Sequence, residues 1–158
     1  MDGNGRWAVS KGLARNAGHR VGVQALKNLI IALDELEIRY FSTQATDIAN
    51  WIYPHPFFIQ IINFLINKLY GNMQVADLDE ACFSKYLYTA GQPDPDLLIR
   101  PSGEMRVSNF LLWQIAYSEF WVTNILWPDF RKEHLWQAIW DYQNRKSNQM
   151  CHGPTDIY

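Results

Sequence analysis

Cysteine is nearly absent from this chain. Cys82 and Cys151 are its two, far apart, and they match no metal-ligand or redox spacing. That excludes a disulfide scaffold, and a reduced thiol in cytoplasm or plastid stroma is the simpler expectation. A basic excess is also lacking. Lysine and arginine number 14 against 16 acids, for a net charge of -2 and a pI near 6.0. Nucleic acid is therefore not expected as a partner, and any phosphate chemistry must be local. Long apolar runs are missing too. Trp51 to Tyr70 is the most apolar stretch, but Gln60, Asn63, Asn67 and Lys68 interrupt it, and a membrane span needs ~20 apolar residues. A buried or groove-lining helix is expected there, with peripheral membrane contact as the alternative. Repeats, low-complexity tracts and linkers are absent, so one domain is expected over 1–146 with a tail at 147–158.

What is present is an ordinary α/β pattern. With 158 residues, 48% hydrophobic, the chain can bury ~70% of its unfolded surface in one core. Aromatics make up 15% and include 7 tryptophans; core packing accounts for most of them, and an apolar substrate groove is the alternative. From Val21 the residues Ala25, Leu26, Leu29, Ile30, Leu33 and Leu36 recur at three and four positions, which predicts an amphipathic helix to about Glu37. Ile38 to Thr43 reads as the start of a strand. Asp77 or Asp79 is placed to cap a helix over Leu78 to Tyr88. Leu97 to Arg100 and Phe120 to Thr123 read as strands, Trp127-Pro128 as a corner, and Arg131 to Arg145 as a helix with Leu135, Ile139 and Tyr142 on one face. Ser108 is expected to cap the apolar segment Asn109 to Ala116.

Two stretches carry chemistry. In Met1-Asp-Gly-Asn-Gly-Arg-Trp-Ala8, Gly3 and Gly5 permit a turn whose N–H groups converge on an anion, and Arg6 adds a fork before an expected helix. Arg15 and His19 follow, four residues apart and on one helical face. Taken alone, Gly-Asn-Gly is only a turn signal. The second stretch, Arg100 to Glu119, sets arginines, serines and a carboxylate around a glycine-containing turn. Arg100 stands at the C-terminal end of an expected strand, where open α/β sheets place ligands. Arg100, Arg106 and Ser108 supply forks and a hydroxyl suited to a diphosphate. Asp2 and Glu119 are a carboxylate pair that would suit Mg2+ bridged by substrate phosphates. A surface salt-bridge network, contributing little stability, is the alternative for the same residues.

Met1-Asp-Gly-Asn-Gly-Arg-Trp-Ala8, Gly18-His19, Tyr86-Leu-Tyr-Thr-Ala-Gly91, Pro93-Asp-Pro-Asp-Leu-Leu-Ile-Arg100, Ser102-Gly-Glu-Met-Arg-Val-Ser-Asn-Phe110 and Trp127-Pro-Asp-Phe130 together resemble the cis-prenyltransferases. That family includes the undecaprenyl and dehydrodolichyl diphosphate synthases. The resemblance covers roughly 1–37 and 77–145. It implies an α/β fold with a parallel sheet flanked by helices, and Mg-dependent condensation of isopentenyl diphosphate with an allylic diphosphate into a Z-polyprenyl chain. It also implies a homodimer, or a heterodimer with a related synthase.

By the same resemblance, Asp2 serves the metal and the allylic diphosphate, and Gly3, Asn4, Gly5, Arg6, Trp7, Arg15 and His19 form that substrate's site. Arg100, Arg106 and Ser108 hold isopentenyl diphosphate, and Glu119 assists the metal. Ser42, Asn50 and Trp51 match a family segment that positions substrate and proton transfer, with Asn50 the catalytic member. The departures imply an incomplete fold. Family members have a strand before Met-Asp-Gly-Asn and a longer central region with tunnel helices than this chain has between Tyr70 and Asp77. Pro101 stands where threonine is common. A truncated product is expected, and a non-catalytic partner subunit of a full-length synthase is the alternative function.

Overall fold

The computed structural model describes residues 1–43, Phe64 and residues 79–145. In chain order the elements are α1 (Asn4–Ser10), α2 (Arg15–Glu35), α3 (Glu80–Ser84), β1 (Leu97–Arg100), β2 (Glu119–Val122), a 3-10 turn (Trp127–Asp129) and α4 (Lys132–Asn144). Asn50, Trp51 and the apolar helix expected before Tyr70 lie outside the described residues. Among those described, no helix is long and apolar enough to cross a membrane.

Helix α2 is the wall on which the rest is built. Its buried face is Gly18, Gly22, Ala25, Leu29, Ala32 and Leu33, the three-and-four spacing read from the sequence. Ile30, at 50% exposed, does not belong to that face because 100° per residue carries it to the flank, and Leu36, in line with the face, is 36% exposed as the residue just past the helix end. The helix starts earlier than expected, at Arg15. It stops at Glu35 because Glu37 turns left-handed, with φ 55°, and the Glu37 and Ile38 N–H groups cap the carbonyls of Asp34 and Leu33.

The strand expected over Ile38 to Thr43 is not formed. Its apolar and aromatic content suits a strand, but Tyr40 and Phe41 are exposed and, among the described residues, β1 and β2 pair only with one another. Without a ladder partner an extended segment is not a strand. The helix expected over Leu78 to Tyr88 is shortened to α3. Asp79 does cap it, accepting from the Cys82 N–H at 2.6 Å, but after Ser84 the chain tightens into three-residue turns, such as Tyr86 N–H to Phe83 O and Leu87 N–H to Ser84 O.

Strands β1 and β2 are parallel, with Leu97 opposite Glu119 and Arg100 opposite Val122. The ladder continues past β1 through Ser102 N–H to Ile125 O and Gly103 N–H to Thr123 O, both 2.8 Å. N–H directions alternate along a strand, so Pro101 has its missing donor on the edge away from β2 and costs this ladder nothing. The segment expected to be capped by Ser108 is a series of turns rather than a capped helix. Ser108, Asn109 and Leu111 all take positive φ, a conformation incompatible with helix propagation.

One cluster unites the layers. Ala25, Leu29, Ala32 and Leu33 of α2 pack on Trp127, Phe130 and Leu135, with Ile99, Trp121 and Ile139 at the margin. Trp127 stacks on Phe130 at 5.7 Å and donates its indole N–H to the Gly22 carbonyl at 2.9 Å in a buried position. Trp127→Phe would remove this second donor from a carbonyl already bonded within α2, and the expected loss is about 0.5–1.5 kcal/mol. Urea unfolding of the variant measures it.

Candidate functional site

The N-terminal turn and the end of β1 meet although nearly a hundred residues separate them. Gly3, at φ 91°, turns the chain into α1, a backbone conformation that favours glycine. The Trp127 N–H donates to the Asp2 carbonyl at 3.0 Å, which fixes Asp2 beside the ladder. Its side chain accepts from the Gly3 N–H at 2.7 Å and from Arg100 Nη2 at 3.0 Å. The Arg100 side chain is 15% exposed and comes within 3.5 Å of the Ser108 hydroxyl.

A second set of contacts joins α1 to the loop after β1. Arg6 Nη2 donates to the Ser102 hydroxyl at 2.9 Å and lies 3.0 Å from Glu104 Oε1 and 3.9 Å from Asp2 Oδ1. The other Glu104 oxygen accepts from Arg106 Nη1 at 2.6 Å. Three arginine forks thus converge on two carboxylates. Arg15 lies over Gly5, where an added Cβ would stand 3.1 Å from Arg15 Nε. His19 is exposed one turn further along α2, and Ser42 is exposed in the extended segment beyond it.

Asn4 Oδ1, Trp7 Nε1 and Arg100 Nε are buried side-chain polar atoms without a hydrogen-bond partner among the described residues. All belong to residues singled out from the sequence. Asn4 Oδ1 lies against Gly22 of α2, in the packing of α1 on α2, whereas Arg100 belongs to the cluster around Asp2. A groove lined by Leu98, Phe120 and Val122, with Met105 at its rim, runs beside Arg100, Glu104 and Arg106. A wider hollow lined by Ser84, Lys85, Thr89 and Asp94 contains none of the candidate residues.

The structure separates one expected pair. Glu119 lies opposite Leu97, about 10 Å along the ladder from Val122 and Arg100. It also shares the strand face of Trp121, whose indole donates to Asp141 of α4 at 2.7 Å, whereas Arg100 faces the groove. Arg145, just past α4, holds Glu119 Oε2 at 3.0 Å. The Tyr142 hydroxyl is pushed above its usual range by burial and by the charges of Asp96 and Glu119, as fits a carboxylate directed toward α4. The Asp2 and Glu119 carboxylates are therefore not side by side within the chain. Asp2 by itself fits the arrangement in which magnesium is bound by a single carboxylate plus substrate phosphates. The carboxylate set across Arg6 from Asp2 is Glu104, to which the sequence reading assigned no role. Its signal was present in Ser102-Gly-Glu-Met-Arg106, a carboxylate inside the turn that links two arginines.

A family model described as putative undecaprenyl diphosphate synthase matches residues 1–70 and 58–149. The isoprenyl transferases of Clostridium perfringens and Clostridium tetani are 35% and 34% identical over 215 positions, covering 92% of this chain and 85% and 84% of theirs. Those alignments are longer than the 158-residue chain, so they cross gaps opposite it. The lavandulyl diphosphate synthase of Lavandula x intermedia, solved in complex with dimethylallyl diphosphate, shares the fold with a TM-score of 0.76 and 23% identity, over 92% of this chain and 93% of that one. The motifs read from the sequence, the parallel strand pair that presents Arg100 and these similarities agree: the chain belongs to the undecaprenyl diphosphate synthase family of isoprenyl transferases.

Proposed function

We propose that this chain condenses isopentenyl diphosphate with an allylic diphosphate to give a Z-polyprenyl diphosphate. The observation that carries this reading is the meeting of Asp2 and Arg6 with Arg100, Glu104 and Arg106, three arginines gathered on two carboxylates. Prenyl transfer releases diphosphate from the allylic partner, leaving negative charge on the departing oxygens and cationic character on the allylic carbon. Arg6 on α1 is placed to stabilise the departing charge, and Arg100 and Arg106 to hold the second diphosphate; preoriented donors of this kind require no rearrangement during reaction. Magnesium, when held through Asp2 and diphosphate oxygens, supplies neutralisation of the leaving group. The Lavandula synthase, captured with dimethylallyl diphosphate, supports an allylic diphosphate as one substrate class.

Labelled isopentenyl diphosphate, magnesium and a set of allylic primers test the reading directly. The expected result is a labelled, butanol-extractable Z-prenyl diphosphate whose formation stops on chelation of magnesium. No product with any primer would overturn turnover by this chain.

A second reading, a non-catalytic subunit that supports a full-length synthase, is favoured by alignments of 215 positions against a chain of 158 residues. The relatives carry residues opposite gaps in this chain. Co-purification with a full-length relative and stimulation of its activity, with no product from the chain alone, is the outcome that would select it.

A further inference from the structure

Glu104 occupies a position that the site's chemistry does not call for. It is an anion placed among the groups that should receive anions. Its two oxygens are divided between two arginines, Oε1 at 3.0 Å from Arg6 Nη2 and Oε2 at 2.6 Å from Arg106 Nη1. The Glu104 side chain is 24% exposed, against 50% for Arg6 and 67% for Arg106, so the carboxylate is the enclosed partner between two accessible forks. Arg6 reaches it from α1, and Arg106 from the loop after β1. A carboxylate bound to two forks at once presents oxygens much as a diphosphate would.

We propose that Glu104 is an internal stand-in for diphosphate that links the two anion-binding sides of the cluster. With Glu104 in place, Arg6 and Arg106 are held ready and share one offsetting negative charge. An oxyanion that takes either arginine favours the state in which Glu104 has swung out, and that same state exposes the other arginine. Two ligands that both select one minor state bind with positive coupling, and the coupling is reciprocal. Glu104 is thus a positioning residue, acting through the two arginines. Its carboxylate also opposes a first anion by like charge. Loss of a merely structural contact would weaken anion binding; loss of a stand-in would strengthen it.

This inference rests on the diphosphate reading above, and calorimetric titration with inorganic pyrophosphate, with chelator present to exclude divalent metal, separates the two. The wild-type chain is expected to bind with a Hill coefficient above 1. Glu104→Gln is expected to bind with half-saturation about tenfold lower and with a hyperbolic curve; Glu104→Ala, which removes the polar head altogether, should behave alike. Unchanged or weaker binding by both variants, or a curve whose shape does not change, overturns the proposal while leaving the diphosphate reading intact. Absence of pyrophosphate binding by wild type and variants alike, with chelator and again with magnesium, overturns both.

Discussion

Arg100→Ala is expected to lower kcat/KM for isopentenyl diphosphate by on the order of a thousandfold. Each charge-assisted contact from a fixed fork to a phosphate oxygen contributes about 1.5–3 kcal/mol, and a fork makes two. The change also strips Asp2 of the partner 3.0 Å from its Oδ2, so the carboxylate loses its orientation. Arg100→Lys should restore only part of the rate, because an ammonium is a point charge without the fork's geometry. Steady-state kinetics of both variants, with thermal unfolding as a check on the fold, measure the effect. Equal kcat/KM in wild type and Arg100→Ala would remove this residue from the site.

The second large effect is expected at a position that touches no ligand. Gly18 lies under the N-terminal turn, where an added Cβ would stand 1.9 Å from the Asn4 carbonyl oxygen. Helix propensity alone would make Gly18→Ala stabilising by about 1 kcal/mol. The clash is with backbone and cannot be relieved by a rotamer, so overpacking, at about 1–3 kcal/mol, should win and the variant should be less stable. The relief available is movement of α1 away from α2, which shifts Asn4 and carries Arg6 out of reach of Ser102 and Glu104. A misplacement of about 1 Å costs on the order of a hundredfold in rate. Urea unfolding and kcat/KM together test this; a stabilised variant with full activity would contradict the close approach.

How much of this was legible in the sequence depended on whether a residue's role was local. Arg100 was placed correctly because a short apolar run ending in a turn is a local signal, and β1 forms over Leu97 to Arg100. Asp79 as a cap and the Leu135 and Ile139 face of α4 were legible for the same reason. The direction of Glu119 was not, because it depends on register and face. Only the pairing with Leu97 and the intercepting Arg145 reveal that it turns toward α4. Ile38 to Thr43 has a strand's composition but needed a partner that composition cannot supply. Glu104 resembled a polar turn residue until the fold carried Arg6 to its side, across 98 residues of chain.

The diphosphate grip we propose consists of Asp2, Arg6, Arg100 and Arg106. Equilibrium binding of isopentenyl diphosphate to the purified chain and to Arg106→Ala tests it most directly, since Arg106 is 67% exposed and its loss should leave the fold intact. Saturable binding by the wild type is expected, with affinity at least tenfold weaker in the variant. Equal affinity in the two proteins, or no saturable binding by the wild type, would contradict it.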